Sequence, residues 1–95
     1  MNNQSNVPPQ NTHEDARTAV GNYFTTGFHV YRVLKAIDIS GKPGFEVIYP
    51  KPKGVKQPEG IFYLSEFLQD RRATKNEISL ASIVDCEEMI EARLN

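Results

Sequence analysis

Only Met1 and Val7 are apolar among the first twelve residues, which are otherwise Asn, Gln, Ser, Pro and Thr. Such a stretch cannot offset its ordering entropy by burial. Residues 1–12 are therefore expected to form a disordered tail, and residues 13–95 a single domain. Ala16, Ala19, Val20, Tyr23 and Phe24 then recur with helical spacing. They predict a helix with Thr12 as N-cap, Glu14 and Asp15 in its first turn, and a stop at Gly27.

From Phe28 to Ile39 the pattern changes to β-branched and aromatic residues, with Val30, Tyr31, Val33, Ile37 and Ile39 carrying it. Apolar groups fall on both alternating sets, which predicts a strand covered in part on both faces. Ser40-Gly41-Lys42-Pro43-Gly44 reads as a turn, and the alternation of Phe45, Val47 and Tyr49 as a second strand in a hairpin with the first. Pro50–Gly60 holds three prolines and two glycines and reads as a long loop. Gly60–Ser65 reads as a short strand, and Glu66–Arg72 as a helical turn. Ile78, Leu80, Ser82 and Val84 alternate with Ser79, Ala81 and Ile83, which predicts another strand. Asp85 with Glu88 three residues on forms a capping-box pattern, opening a helix whose stripe is Cys86, Met89, Ile90 and Leu94.

The order helix, hairpin, loop, strand, strand, helix predicts an α+β fold. It would be a small antiparallel sheet of about four strands with an N-terminal and a C-terminal helix packed on it, the helices on one face. The alternative from the same strands is an SH3-like small barrel, with the Pro/Lys loop on its rim.

Size and charge narrow the function. A chain of 95 residues buries about 60–65% of its unfolded surface, which disfavours deep clefts and large cofactor pockets. A net charge of −1 argues against nucleic-acid binding over the whole surface. One cysteine, Cys86, allows no intrachain disulfide, which points to a reducing, cytoplasmic setting. No stretch approaches the ~20 apolar residues of a membrane span, and the polar N-terminus does not read as a signal peptide.

Chemistry-bearing patterns are sparse. His13 and His29 share no motif with each other or with Cys86, so no metal site is expected. The thiol sits among Asp85, Glu87 and Glu88, which oppose its ionisation, and reads as a small buried residue. Gly41-Lys42-Pro43-Gly44 is not a phosphate loop, because Pro43 lacks a donor the cradle needs. Glu87 and Glu88 point about 100° apart on a helix and do not converge as an acid–base pair. No catalytic residues and no cofactor are expected, and the chain does not read as an enzyme.

Charge distribution has more shape. Between Lys51 and Lys75 six cations face three acids, a net of +3; from Glu77 to Asn95 one cation faces five acids, a net of −4. The candidate binding residues are Lys51, Lys53, Lys56, Arg71, Arg72 and Lys75, with Tyr49 and Tyr63 as aromatics. Glu87, Glu88 and Glu91 form a candidate acidic surface. Two functions follow. One is a small non-catalytic protein-interaction or regulatory module, binding a protein partner or a second copy of itself. The other is a nucleic-acid-binding accessory protein using loop 51–56 and segment 71–75. The two differ in whether Arg71, Arg72 and Lys53 share one face.

Overall fold

The computed structural model describes residues 7–83. The elements run α1 (His13–Arg17), β1 (Tyr23–Thr25), β2 (Val30–Ile39), β3 (Lys42–Ile48), β4 (Glu59–Tyr63), α2 (Leu64–Phe67), β5 (Arg71–Arg72) and α3 (Lys75–Ile83). Over the described residues the fold is a small α+β domain: one antiparallel five-stranded sheet in the order β4-β3-β2-β1-β5, with three short helices. β4 and β5 stand at opposite edges, so the sheet is open and the barrel alternative does not form.

Thr12 caps α1 as its sequence predicts, its side chain accepting from the Asp15 N–H at 3.2 Å. The helix is much shorter than its periodicity implied. Gly21 takes a φ of +88°, which no helix continues, and the chain turns there into the sheet. Tyr23 and Phe24, expected on the helix, are therefore strand residues opposite Arg32 and Tyr31.

The β2–β3 turn is tighter than expected. Ser40 and Gly41 have φ values of 52° and 89°, the signature of a two-residue primed turn. β3 accordingly begins at Lys42, and Pro43 pairs with Asp38. The proline is tolerated because the β3–β4 ladder starts only at Gly44, so no second strand calls on its missing N–H. A bulge between Val33 and Lys35 re-phases β2 against β3.

The main core lies on one face. Phe24, Tyr31, Val33, Phe45 and Val47 from the strands meet Ala19 and Phe67, with Ala16, Leu64 and Leu68 packed around them. Phe67 stacks edge-on to Phe24 at 4.8 Å between ring centres. The opposite face carries a smaller cluster of Val30, Ala73 and Ala81, with Tyr23 and Ile78 beside it. Helices thus cover both faces, rather than one.

Two expectations are overturned by hydrogen bonding. The segment from Ile78 is helix, not strand. Thr74 and Glu77 form a capping box, with Thr74 N–H to Glu77 Oε1 at 2.9 Å and Glu77 N–H to Thr74 Oγ1 at 3.2 Å. Ile78 and Ala81, three apart, then supply the buried stripe. Near the other end, residues expected in the tail are docked. Asn11 is buried, donating its backbone N–H to Asp70 O at 2.8 Å and its Nδ2 to Phe67 O at 2.9 Å, while Gln10 bridges to Arg71. The tail expected over residues 1–6 and the helix predicted from Asp85 lie outside the described residues.

Candidate interaction surface

Antiparallel pairing gathers the β1–β2 loop (residues 26–29) and the β3–β4 loop (residues 49–58) at one end of the sheet, because Ile48 stands opposite Arg32 and Val30 opposite Thr25. The first loop is held by its threonines. Thr26 Oγ1 accepts from the N–H of Phe28 at 3.2 Å and of His29 at 3.1 Å, and Thr25 Oγ1 accepts from Gly27 N–H at 2.9 Å. Thr26 N–H closes the loop on His29 O at 3.1 Å. Gly27, at φ +102°, makes the turn. The result holds the Phe28 side chain outward, 82% exposed.

The second loop is closed at its base by Tyr49 N–H to Pro58 O at 2.9 Å and folded within by Val55 N–H to Pro52 O at 3.0 Å. It carries Lys53 and Lys56, both exposed, the half-buried Lys51, and Val55 at 45% exposure. The His29 and Tyr49 rings meet edge-on at 6.3 Å, joining the loops. Tyr49 also packs edge-on against Tyr31 and Phe62. Burial, with Asp70 and Glu66 nearby, pushes its hydroxyl above the ordinary tyrosine range. It anchors the loop to the core.

Beneath this end the Tyr31 hydroxyl donates to Asp70 Oδ2 at 2.6 Å. Burial raises the Asp70 carboxyl above its ordinary value, Tyr31's hydrogen bond pulls the other way, and Glu66 adds to the rise. Tyr31 itself is raised by burial and by the Asp70 carboxylate.

The other residues singled out by sequence are dispersed. Arg71 and Arg72 lie on β5, three strand spacings or about 14 Å from β3. They point to opposite faces. Arg72 stands opposite Phe24 with its guanidinium 5.3 Å from that ring on the core face. Arg71 reaches the α3 face and forks onto Glu77, with Nη2–Oε2 at 2.6 Å and Nη1–Oε1 at 2.9 Å. That fork holds Glu77 down at about 2, with donors from Thr74 assisting against partial burial, and raises Arg71. Lys75 is exposed at the start of α3. Tyr63, opposite Gly44, sits at the far end of the sheet from the lysine loop. Glu87, Glu88 and Glu91 lie outside the described residues.

Phe28 was missed as a surface residue, because its aromatic character was read as the start of β2; His29 was read as a core-edge or surface residue, though on the strand rather than in the loop. The signal was Thr25-Thr26-Gly27, hydroxyls able to accept from the loop's own N–H groups before a glycine. Among the described residues no group of three or more His, Cys, Asp or Glu side chains is placed to hold a metal, and no helix is long and apolar enough to cross a membrane.

Fold and surface together define a class: a small α+β domain built on an open antiparallel sheet, presenting two linked loops at one end. Comparison with protein-family models, with curated proteins and with solved structures gives no match.

Proposed function

We propose that this chain is a small non-catalytic protein-interaction or regulatory module that binds its partner through the two-loop end of the sheet. The observation that carries the reading is Phe28, 82% exposed at the tip of a hydrogen-bonded loop. An aromatic side chain held out at little further entropic cost is the kind of group that dominates binding energy when it enters a partner's pocket. Lys53 and Lys56 would supply a basic rim, which favours a partner whose apolar pocket has an acidic border.

The test is paired capture from a lysate with the wild-type chain, Phe28→Ser, and Lys53→Ala/Lys56→Ala. A protein retained by the wild type and lost with Phe28→Ser supports the reading. A set of retained proteins identical for all three chains overturns it.

A second reading has its own support. Cations at the same end of the sheet as an exposed ring also suit single-stranded nucleic acid, with phosphate on the lysines and a base stacked on Phe28. Such binding would be modest and would weaken steeply with salt, since few phosphates are met. Anisotropy of labelled single-stranded oligonucleotides at two salt concentrations separates the readings. Salt-sensitive binding that Lys53→Ala/Lys56→Ala and Phe28→Ser both weaken favours the second; no binding at low salt removes it.

A further inference from the structure

The two edges of the sheet are guarded unequally. β5 is two residues long, both arginine, and Gln10 bridges to it. Short, charged and covered edges resist pairing with another chain. β4 runs over five residues, Glu-Gly-Ile-Phe-Tyr, with neither lysine nor proline, and no strand of the described residues lies beyond it. Because Tyr49 N–H bonds Pro58 O, the alternating ladder makes Val47–Gly60 and Phe45–Phe62 its bonded pairs. Glu59, Ile61 and Tyr63 therefore turn their backbone groups outward. Tyr63 N–H is taken by Glu66 Oε1 at 2.9 Å, which leaves Ile61 at the centre of the open edge. Its side chain is 59% exposed.

We propose that two copies of this chain pair antiparallel through β4, about a two-fold axis at Ile61, to make one continuous sheet. The occupant is a second copy because the strand is self-complementary in that register. Ile61 faces Ile61, so each covers the other's exposed surface. Glu59 faces Tyr63, so no like charges stand opposite. Phe62 faces Gly60, which sets no side chain of its own against the ring. Glu59 of one copy comes onto the same face as Tyr63 of the other. Lys42, Pro43, Tyr63, Leu64 and Ser65 line an open groove of about 340 Å³ that would receive the segment preceding Glu59. The pairing is isologous, the commonest oligomer symmetry, and it stands independently of the loop-end reading.

The test is sedimentation equilibrium of the 95-residue chain up to about 1 mM, beside Ile61→Lys and Phe28→Ser. In a Cys86→Ser background, Glu59→Cys and Tyr63→Cys are oxidised alone and mixed. The wild type should move from 10.7 kDa towards twice that mass with concentration. Ile61→Lys should stay at the lower mass, because it sets two lysines side by side on the axis, and Phe28→Ser should dimerise normally. The cysteine variants should cross-link when mixed and not when alone. Their Cα atoms would stand about 5.5 Å apart across the pair, but about 13 Å apart between identical positions. A monomer at every concentration overturns the proposal. So does a dimer that survives Ile61→Lys, one lost with Phe28→Ser alone, or cross-linking of either cysteine variant by itself.

Discussion

The Tyr31 hydroxyl and the Asp70 carboxylate, 39 residues apart, are joined at 2.6 Å beneath the main core, fastening the central strand to the approach of edge strand β5. Tyr31 is fully buried and Asp70 nearly so. Removing the donor leaves a buried acceptor unmet, so Tyr31→Phe should cost about 1.5–3 kcal/mol in urea unfolding. Asp70→Asn keeps an acceptor and removes the buried charge, and should be at least as stable as wild type at neutral pH. The sign in wild type follows from the raised carboxyl. The unfolded chain ionises first as pH rises from the ordinary value of 3.8, so this group's contribution declines across that window. Asp70→Asn should abolish that decline; a larger loss than Tyr31→Phe would contradict the account.

Glu77 runs the opposite way. Held at about 2 by Arg71, it stabilises the fold fully above its ordinary 4.5, and the benefit is lost as pH falls towards 2. Glu77→Gln should lose about 1 kcal/mol at pH 7, a figure reduced for the exposure of the pair. Urea melts at a series of pH values should show the wild-type and variant curves converging below 4.5. Parallel curves would sever the link between the fork and stability.

Gly44 is fixed by close approach rather than by its backbone angle. A Cβ there would stand 2.5 Å from the Phe62 carbonyl oxygen and against the Ile39 side chain. Gly44→Ala should cost about 1–3 kcal/mol through forced shifts between β3 and β4. Thermal melting measures it, and a neutral result would mean that the two strands separate more readily than their register implies.

Phe28 should be expendable for folding. At 82% exposure its truncation removes little buried area, so Phe28→Ser should unfold within about 0.5 kcal/mol of wild type. Larger destabilisation would assign the ring a structural role and weaken its use as a binding anchor.

The β2–β3 hairpin and the long loop were legible in the sequence because strand periodicity and Pro/Gly punctuation agree there. The N-cap at Thr12 was legible too, but the helix end was not. Phe24 fits a helical stripe as well as a strand, and only the +88° backbone at Gly21 decides between them. At Ile78 seven alternating residues outweighed the Thr74–Glu77 cap, which needed to be read first. β5 left no pattern at all. Two arginines have little strand propensity, and they pair because Phe24 and Thr25 present an edge. The candidate site fared similarly. The lysine loop was visible as a run of charge, whereas its placement at the same end of the sheet as Phe28, and the separation of Arg71 from Arg72, follow from register.

The docking of Asn11 bears on the order in which the molecule closes. β2, β3 and β4 join through successive chain neighbours, so their pairing encloses little chain. The Asn11 amide, by contrast, reaches Phe67 O across 56 residues. A contact of that span gains little until the meander exists to hold its ends. The β1–β5 seam, with residues 10–11 lying against it, is thus expected to zip last and to breathe first. Its amides should exchange with solvent hydrogen well before those of β2 and β3.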